Sequence, residues 1–292
     1  MHDQAERLRQ LTLAADAQRG IIKQKKNLRV ITVASGKGGV GKTNLVVNLA
    51  IALSRLGKRV IVMDADLGLA NVDIILGLLP MHNLLDVVRG IKTMEEIMVS
   101  GPEGMKLIPG GSGLVELANL AMDQRDRLMT NLMRLEHTAD ILLIDTGAGL
   151  SRAVLSFISA ADELIVITTP EPTAITDAYG IIKVVSKYNI HQEVKLVVNQ
   201  VRDHREGCDI AKRFSDVSHK FIQVNIQFLG EICSDQQVVR AVKQQQPFMT
   251  LFPRARASYD VQNIAEKLLD IAPEKTRGVS GFISRLSRMM EK

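Results

Sequence analysis

An apolar run, Val30 to Ala34, and a helically periodic run, Leu45 to Leu56, enclose the string Gly36-Lys37-Gly38-Gly39-Val40-Gly41-Lys42-Thr43. No other stretch restricts the possible folds so strongly. The string fits G-x-x-x-x-G-K-[ST], the phosphate-binding loop that joins a buried strand to a helix. Gly38, Gly39 and Gly41 let the loop, Val40 included, curl its backbone N–H groups around phosphate without Cβ clashes. The N-terminus of the new helix adds positive dipole. Lys42 reaches the β- and γ-phosphates, and the Thr43 hydroxyl holds Mg²⁺.

The rest of the chain fits the same architecture. Strands are expected at Arg29–Ala34, Arg59–Asp64, Lys106–Pro109, Asp140–Asp145, Glu163–Thr168, Lys195–Asn199 and Gln227–Ile232. Most carry Val, Ile and Leu on both alternating positions, as strands covered on both faces do. Helical periodicity falls between them, at Thr43–Leu56, Asn83–Gly90, Asp123–His137, Leu150–Ala160, Thr173–Tyr188, Asp203–Phe221 and Asp235–Gln245. Arg254–Ile271 reads as a last core helix. The expected fold is α/β, a doubly wound, mostly parallel sheet flanked by helices, with ligands at the carboxyl ends of the strands. The 292 residues suffice for one large domain of this kind.

Two further motifs fall at strand ends. Asp64-Ala65-Asp66 closes one strand; carboxylates at i and i+2 point the same way while the chain is extended. Beside a Mg²⁺-phosphate such a pair holds metal-bound water or aligns an attacking water. Asp145-Thr146-Gly147-Ala148-Gly149 closes another strand, and four apolar residues before an aspartate match a Walker B strand, with Asp145 on Mg²⁺ through water. Asn199 ends a third strand, where its amide offers donor and acceptor to an adenine edge. The guanine motif N-K-x-D is missing, the run being Asn199-Gln200-Val201-Arg202, which favours ATP over GTP. Cys208 and Cys233 form no C-x-x-C pair, which argues against a metal cluster. No run reaches the length of a membrane span and no secretion signal is evident.

With Lys37 at its start, the loop K-G-G-V-G-K-T resembles the deviant Walker A motif of the MinD/ParA family. Asp64 to Asp73 is similar to the first switch region of those ATPases. The resemblance implies a P-loop NTPase fold and an ATP-bound homodimer, in which Lys37 crosses to the partner subunit's nucleotide. It also implies that Asp66 orients the hydrolytic water, Asp64 supports the Mg²⁺ shell and Asn199 meets the base. Pro170-Glu171-Pro172 and Asp177 resemble the segment lining the dimer interface.

The ends of the chain narrow the resemblance. Asp3-Gln4-Ala5-Glu6-Arg7-Leu8-Arg9 resembles the N-terminal helix of the FlhG (FleN, YlxH) family, ATPases of flagellar number and placement. That implies a helix stimulating an FlhF-type GTPase, with Gln4, Leu8 and Arg9 as contacts. At the other end, Phe282, Ile283, Leu286, Met289 and Met290 recur at helical spacing between Arg285, Arg288 and Lys292. This reads as an amphipathic helix lying in a membrane interface, with packing on the core as the other reading. The expected organisation is therefore 1–26, partner-activating helix and basic linker; 27–272, ATPase domain; 273–292, linker and membrane-targeting helix. The implied setting is the cytoplasm and, reversibly, the inner face of the membrane.

By the same resemblance, flagellar switch-complex proteins are partners, docking near Lys183 and Phe221. From sequence alone, Phe221 reads rather as core-edge packing. Two alternatives share the ATPase motifs. A MinD-type division-site regulator would not need the N-terminal extension. A ParA-like DNA partitioner would use a basic surface; the net charge of +5 permits one. The amphipathic tail favours a membrane, and no direct nucleic-acid contact is expected.

Overall fold

A computed structural model describes residues 28–66, 71–111, 122–271 and 278–290. The N-terminal contacts Gln4, Leu8 and Arg9 lie outside the described residues. Within them the strands are β1 (Arg29–Ser35), β2 (Val60–Ala65), β3 (Val99–Ser100), β4 (Lys106–Ile108), β5 (Ile141–Ala148), β6 (Glu163–Thr168), β7 (Glu193–Val201) and β8 (Asn225–Cys233). They form one sheet in the order β3-β4-β2-β5-β1-β6-β7-β8. Every pairing is parallel except that of β3 with β4.

The larger helices are α1 (Lys42–Arg55), α5 (Met122–Arg134), α6 (Arg152–Ala160), α7 (Pro172–Lys187), α8 (His204–Val217), α9 (Gln236–Lys243), α11 (Arg256–Asp270) and α12 (Gly278–Met290). Shorter turns are α2 (Val72–Leu76), α3 (Leu84–Val88), α4 (Met94–Ile97) and α10 (Phe248–Leu251). The sequence periodicity did not mark α2, α4, α10 or β3, because four or five residues make one turn and two residues show no alternation.

Alternation along the strands divides the core. Ile31 and Val33 of β1 face a layer that includes Leu49 and Leu53 of α1 and Val261 and Ile264 of α11. Val30 faces the opposite layer, with Phe157 of α6 and Phe282 of α12. Ala34, further along the same strand, joins the cluster of Ile181 on α7 and Phe214 on α8. The sheet is thus covered on both faces, which is why its strands read as continuous apolar runs.

The amino ends of the strands carry a buried charge network. Glu163 takes a bidentate pair from Arg29 at 2.8 and 2.9 Å, and Lys195 lies 3.2 Å from the same carboxylate. The carboxyl ends, on the opposite edge, gather the motifs.

The stripe assigned to lipid from its spacing faces protein in this structure. Phe282, Ile283 and Leu286 are buried, and α12 packs on α6, α5 and β1. Arg285 donates from Nη1 to the carbonyls of Ser159 and Ala161, at 3.0 and 3.4 Å, at the end of α6. Helical spacing creates an apolar stripe without specifying what covers it. The backbone of Met289 and Met290 closes α12; their side chains lie outside the description.

Candidate active site

The site is built from loops that leave successive strand ends. After β1, the chain turns through Gly38, Gly39 and Val40 and enters α1 at Lys42. Gly41 is left-handed, with φ 90°, and a Cβ there would sit 2.3 Å from Nδ2 of Asn199. Both conditions exclude a side chain. Gly36 backs onto α7, where a Cβ would lie 2.3 Å from the carbonyl carbon of Asp177. The loop is therefore wedged between α7 and the end of β7, and its residues line a cleft.

That cleft, of ≈ 500 Å³, is lined by the loop from Gly38 to Asn44, and by Ser35, Asp66, Asn71, Ile74, Ile75, Ala148 and Val242. Lys42 is buried in its wall and donates to Oδ1 of Asp145 at 2.6 Å. Burial holds the Asp145 carboxyl above its ordinary range, against the opposing pull of Lys42 and of the Thr43 hydroxyl bonded to it. Its second oxygen, Oδ2, is buried without a hydrogen-bond partner, as is the Ser35 hydroxyl. A buried carboxylate oxygen beside a threonine hydroxyl suits a hydrated Mg²⁺, a hard cation that prefers oxygen ligands and keeps several waters. The donor set thus fits the ion, and Thr43 and Asp145 would hold it.

Asp64, at the end of β2, is braced by the loop that follows it. Its oxygens accept from the backbone N–H groups of Asp66 at 3.1 Å, Asn71 at 3.1 Å and Val72 at 3.3 Å. Burial still pushes its pKa up to about 7, and nearby Asp145 adds to the rise. Asp64 thus ties Asp66 to Asn71 and Val72, with lone pairs left for water in a metal shell. Asp66 is half-buried and faces the second glycine-rich segment, where a Cβ on Gly147 would lie 3.5 Å from its Oδ1. That segment is held to the P-loop strand: Thr146 donates to the Val33 carbonyl at 3.0 Å, and Gly149 N–H to that of Ser35 at 2.8 Å.

A second cleft, of ≈ 330 Å³, continues from Gly39 and Gly41 past Asn199 and Gln200 to Ile232, Val238, Val239 and Phe248. Its apolar walls suit the faces of a base. Asn199 stands at its entrance, but with less freedom than its type suggests. Nδ2 donates to the Val40 carbonyl at 2.8 Å, and Oδ1 accepts from Gln200 N–H at 2.9 Å. Asn199 thus braces the loop as well as lining the base cleft. Sequence reasoning missed the β8–α9 wall of this cleft. Its one local signal is Asp235, whose carboxylate caps α9 through Gln237 N–H.

Lys37 lies outside both linings. Its Nζ contacts Oε1 of Glu171 at 2.6 Å and Oγ1 of Thr173 at 3.1 Å, at the start of α7. The sequence reading placed Glu171 at an interface without this partner.

Comparison with known proteins follows the same lines. A family model for ParA, described as NUBPL iron-transfer P-loop NTPase, matches residues 26–269. The iron-transfer description belongs to that model; Cys208 and Cys233 here are free thiols. The chain is 38% identical over 261 residues to the antiactivator FleN of Pseudomonas aeruginosa, covering 89% of this chain and 93% of FleN. It is 33% identical to the flagellum site-determining protein YlxH of Helicobacter pylori, over 99% of this chain and all of that protein, 100%. Among solved structures, MinD complexed with Mg-ADP from Pyrococcus horikoshii superposes with a TM-score of 0.67 at 26% identity, covering 82% of this chain and 96% of that one. A P-loop with an extra lysine, a buried aspartate bonded to its second lysine and these similarities agree: the chain belongs to the ParA/MinD family of Mg²⁺-dependent P-loop ATPases, in the branch of FleN and YlxH.

Proposed function

We propose that this ATPase is a dimerising membrane switch that regulates the number and placement of flagella, and that it stimulates an FlhF-type GTPase through residues 1–26. The observation that carries this reading is the similarity to FleN and YlxH along nearly the whole chain. Two subunits close over their nucleotides, each Lys37 reaching the other's phosphates. Exposed Ile74, Leu150, Val239 and Val242 support such a contact, because three of them rim the two clefts and Leu150 follows Gly149 directly.

Membrane attachment then requires α12 to leave the core. Each large apolar side chain buried there contributes roughly 1.5–3 kcal/mol, and a bilayer interior offers a comparable apolar environment. The exchange is decided by smaller terms: the Arg285 bonds to Ser159 and Ala161 on one side, and on the other about 1 kcal/mol per basic residue at an anionic surface. Two such helices on one dimer add avidity. The geometry supports a link to nucleotide state, since α6, on which α12 packs, begins three residues after Gly149. No helix among the described residues is long and apolar enough to cross a membrane. Full-length protein is expected to sediment with anionic vesicles in ATP and to remain in the supernatant in ADP. Nucleotide-independent sedimentation would contradict the switch.

For basal-body partners the structure changes one expectation. Phe221, read from sequence as packed at the core edge, is 79% exposed on a π-turn at Ser218–Ile222 that contacts α7. An exposed aromatic at such a turn supports a docking role. The division-site reading retains the MinD similarity and lacks a task for residues 1–26. Adding full-length protein to an FlhF-type GTPase separates the two. Turnover of GTP rises with the intact chain and not with a chain starting at residue 21; equal effects of both would favour division-site regulation.

A further inference from the structure

Both loop lysines rest on carboxylates, and the two carboxylates differ in kind. Lys42 rests on Asp145, which is buried and bonded to Lys42 and Thr43, two residues of the phosphate-cleft lining. Lys37 rests on Glu171, which is not part of either cleft lining. Thr173 closes the arrangement, accepting from Lys37 at 3.1 Å and donating to Glu171 Oε1 at 2.8 Å. Lys37 keeps the Glu171 carboxyl below the ordinary range, followed by the Thr173 hydroxyl, so Glu171 is a carboxylate at neutral pH. The anchor is rigid: Glu171 is the N-cap residue of α7, Pro172 starts that helix, and Gly36 packs directly on its second turn at Asp177.

A lysine held against its own subunit is not available to another. Nothing in ATP binding to one subunit displaces this carboxylate, because Glu171 does not touch the phosphate cleft. The opposing subunit's phosphates, more negative than one carboxylate, would take Lys37 from it. We propose that Glu171 is a positioning residue for hydrolysis, one that holds Lys37 back in the monomer and lets it go only to a second nucleotide-loaded subunit. This rests on the reading that Lys37 acts across a dimer. The contact is half exposed, so its hold is weak and the population of free lysine shifts only several-fold. A weak hold suits the task, since it suppresses idle turnover at low subunit concentration without blocking dimers at high concentration.

Glu171→Gln keeps the shape and removes the charge, and the full-length chain reports on it twice. In nucleotide-free protein, an amine-acylating reagent read by peptide mass spectrometry should label Lys37 about two- to fivefold faster in Glu171→Gln than in wild type, with labelling of Lys183 unchanged. In ATP and Mg²⁺, half-maximal specific ATPase should be reached at an about two- to fivefold lower subunit concentration, with ATP affinity of the monomer unaltered. In a Lys37→Ala background, Glu171→Gln should shift neither midpoint nor rate. Equal labelling of Lys37 in the two proteins would overturn the proposal. So would a higher midpoint with slower turnover, which would place Glu171 among the contacts of the dimer itself. The trans reading fails separately, if Lys37→Ala alone turns over at the wild-type rate; the labelling result then still decides whether Glu171 restrains Lys37.

Discussion

Asp66→Ala is expected to lower the ATPase rate by about 10²–10⁴-fold while leaving ATP bound. The carboxylate lines the phosphate cleft, facing Gly147, and belongs to a different segment from the loop at Gly36–Thr43. Removing it withdraws the carboxylate that the family resemblance assigns to aligning the attacking water. The cradle of backbone N–H groups, Lys42 and Thr43 is untouched, so affinity for ATP stays near that of the wild type. If hydrolysis is what separates the subunits, the variant should accumulate as a dimer in ATP. Size-exclusion chromatography with light scattering reads that directly. A variant that still hydrolyses ATP at more than a tenth of the wild-type rate would exclude Asp66 from the chemistry; one that binds ATP, does not hydrolyse it and stays monomeric would exclude the switch.

Lys42→Ala is expected to fail earlier, at binding, and to weaken the fold as well. Lys42 and Asp145 are a buried pair with Nζ and Oδ1 2.6 Å apart. Breaking such a pair by removing one member costs about 3 kcal/mol or more, because the other is left buried without compensation. In ATP the lost charge-assisted contact to phosphate should weaken affinity by about 100-fold or more. Thermal unfolding with and without nucleotide separates the two effects. Wild-type protein gains about 2.7 kcal/mol at a hundredfold excess of ATP over its Kd. The variant should start from a lower midpoint and gain almost nothing at that concentration. An unshifted midpoint without nucleotide would mean that Asp145 finds another partner or a proton at little cost. An unshifted response to ATP would remove Lys42 from the phosphate site.

The two lysines show how far local pattern carries. Lys42 sits at a spacing that, between a strand and a helix, has few other uses, so its place in a P-loop was legible before any contact was known. Lys37 was legible as an extra cation and as a family signature. Its partner was not, since Glu171 lies 134 residues away and only the adjacency of β1 and β6 brings them together. Asn199 is intermediate. Its place at a strand end was foreseeable, but the use of its amide on Val40 and Gln200 depends on β7 ending against the P-loop.

Some local signals were present and went unread. Thr93-Met94-Glu95-Glu96 and Asn83 to Asp86 are capping boxes, each with both reciprocal bonds in place, at the starts of α4 and α3. The turn α4 was missed because its cap was written in the sequence while its length was too short for a period.

Taken alone, the sequence determined the parallel sheet, the P-loop, the strands that carry Asp64 and Asp145, though not that β5 runs on to Ala148, and the family. Each depends on residues close together in the chain, where glycine freedom, β-branching and carboxylate spacing act directly. Tertiary structure decided the rest: that Phe282 and Leu286 face α6 and not solvent, that Phe221 stands out from the surface, that Asp145 keeps one oxygen without a partner, and that Lys37 rests on Glu171. An apolar stripe or a charged side chain specifies what kind of surface it needs, but not which one. That choice belongs to strand order, which sets distant segments side by side, and to burial, which makes an unpartnered polar atom costly and an apolar neighbour favourable.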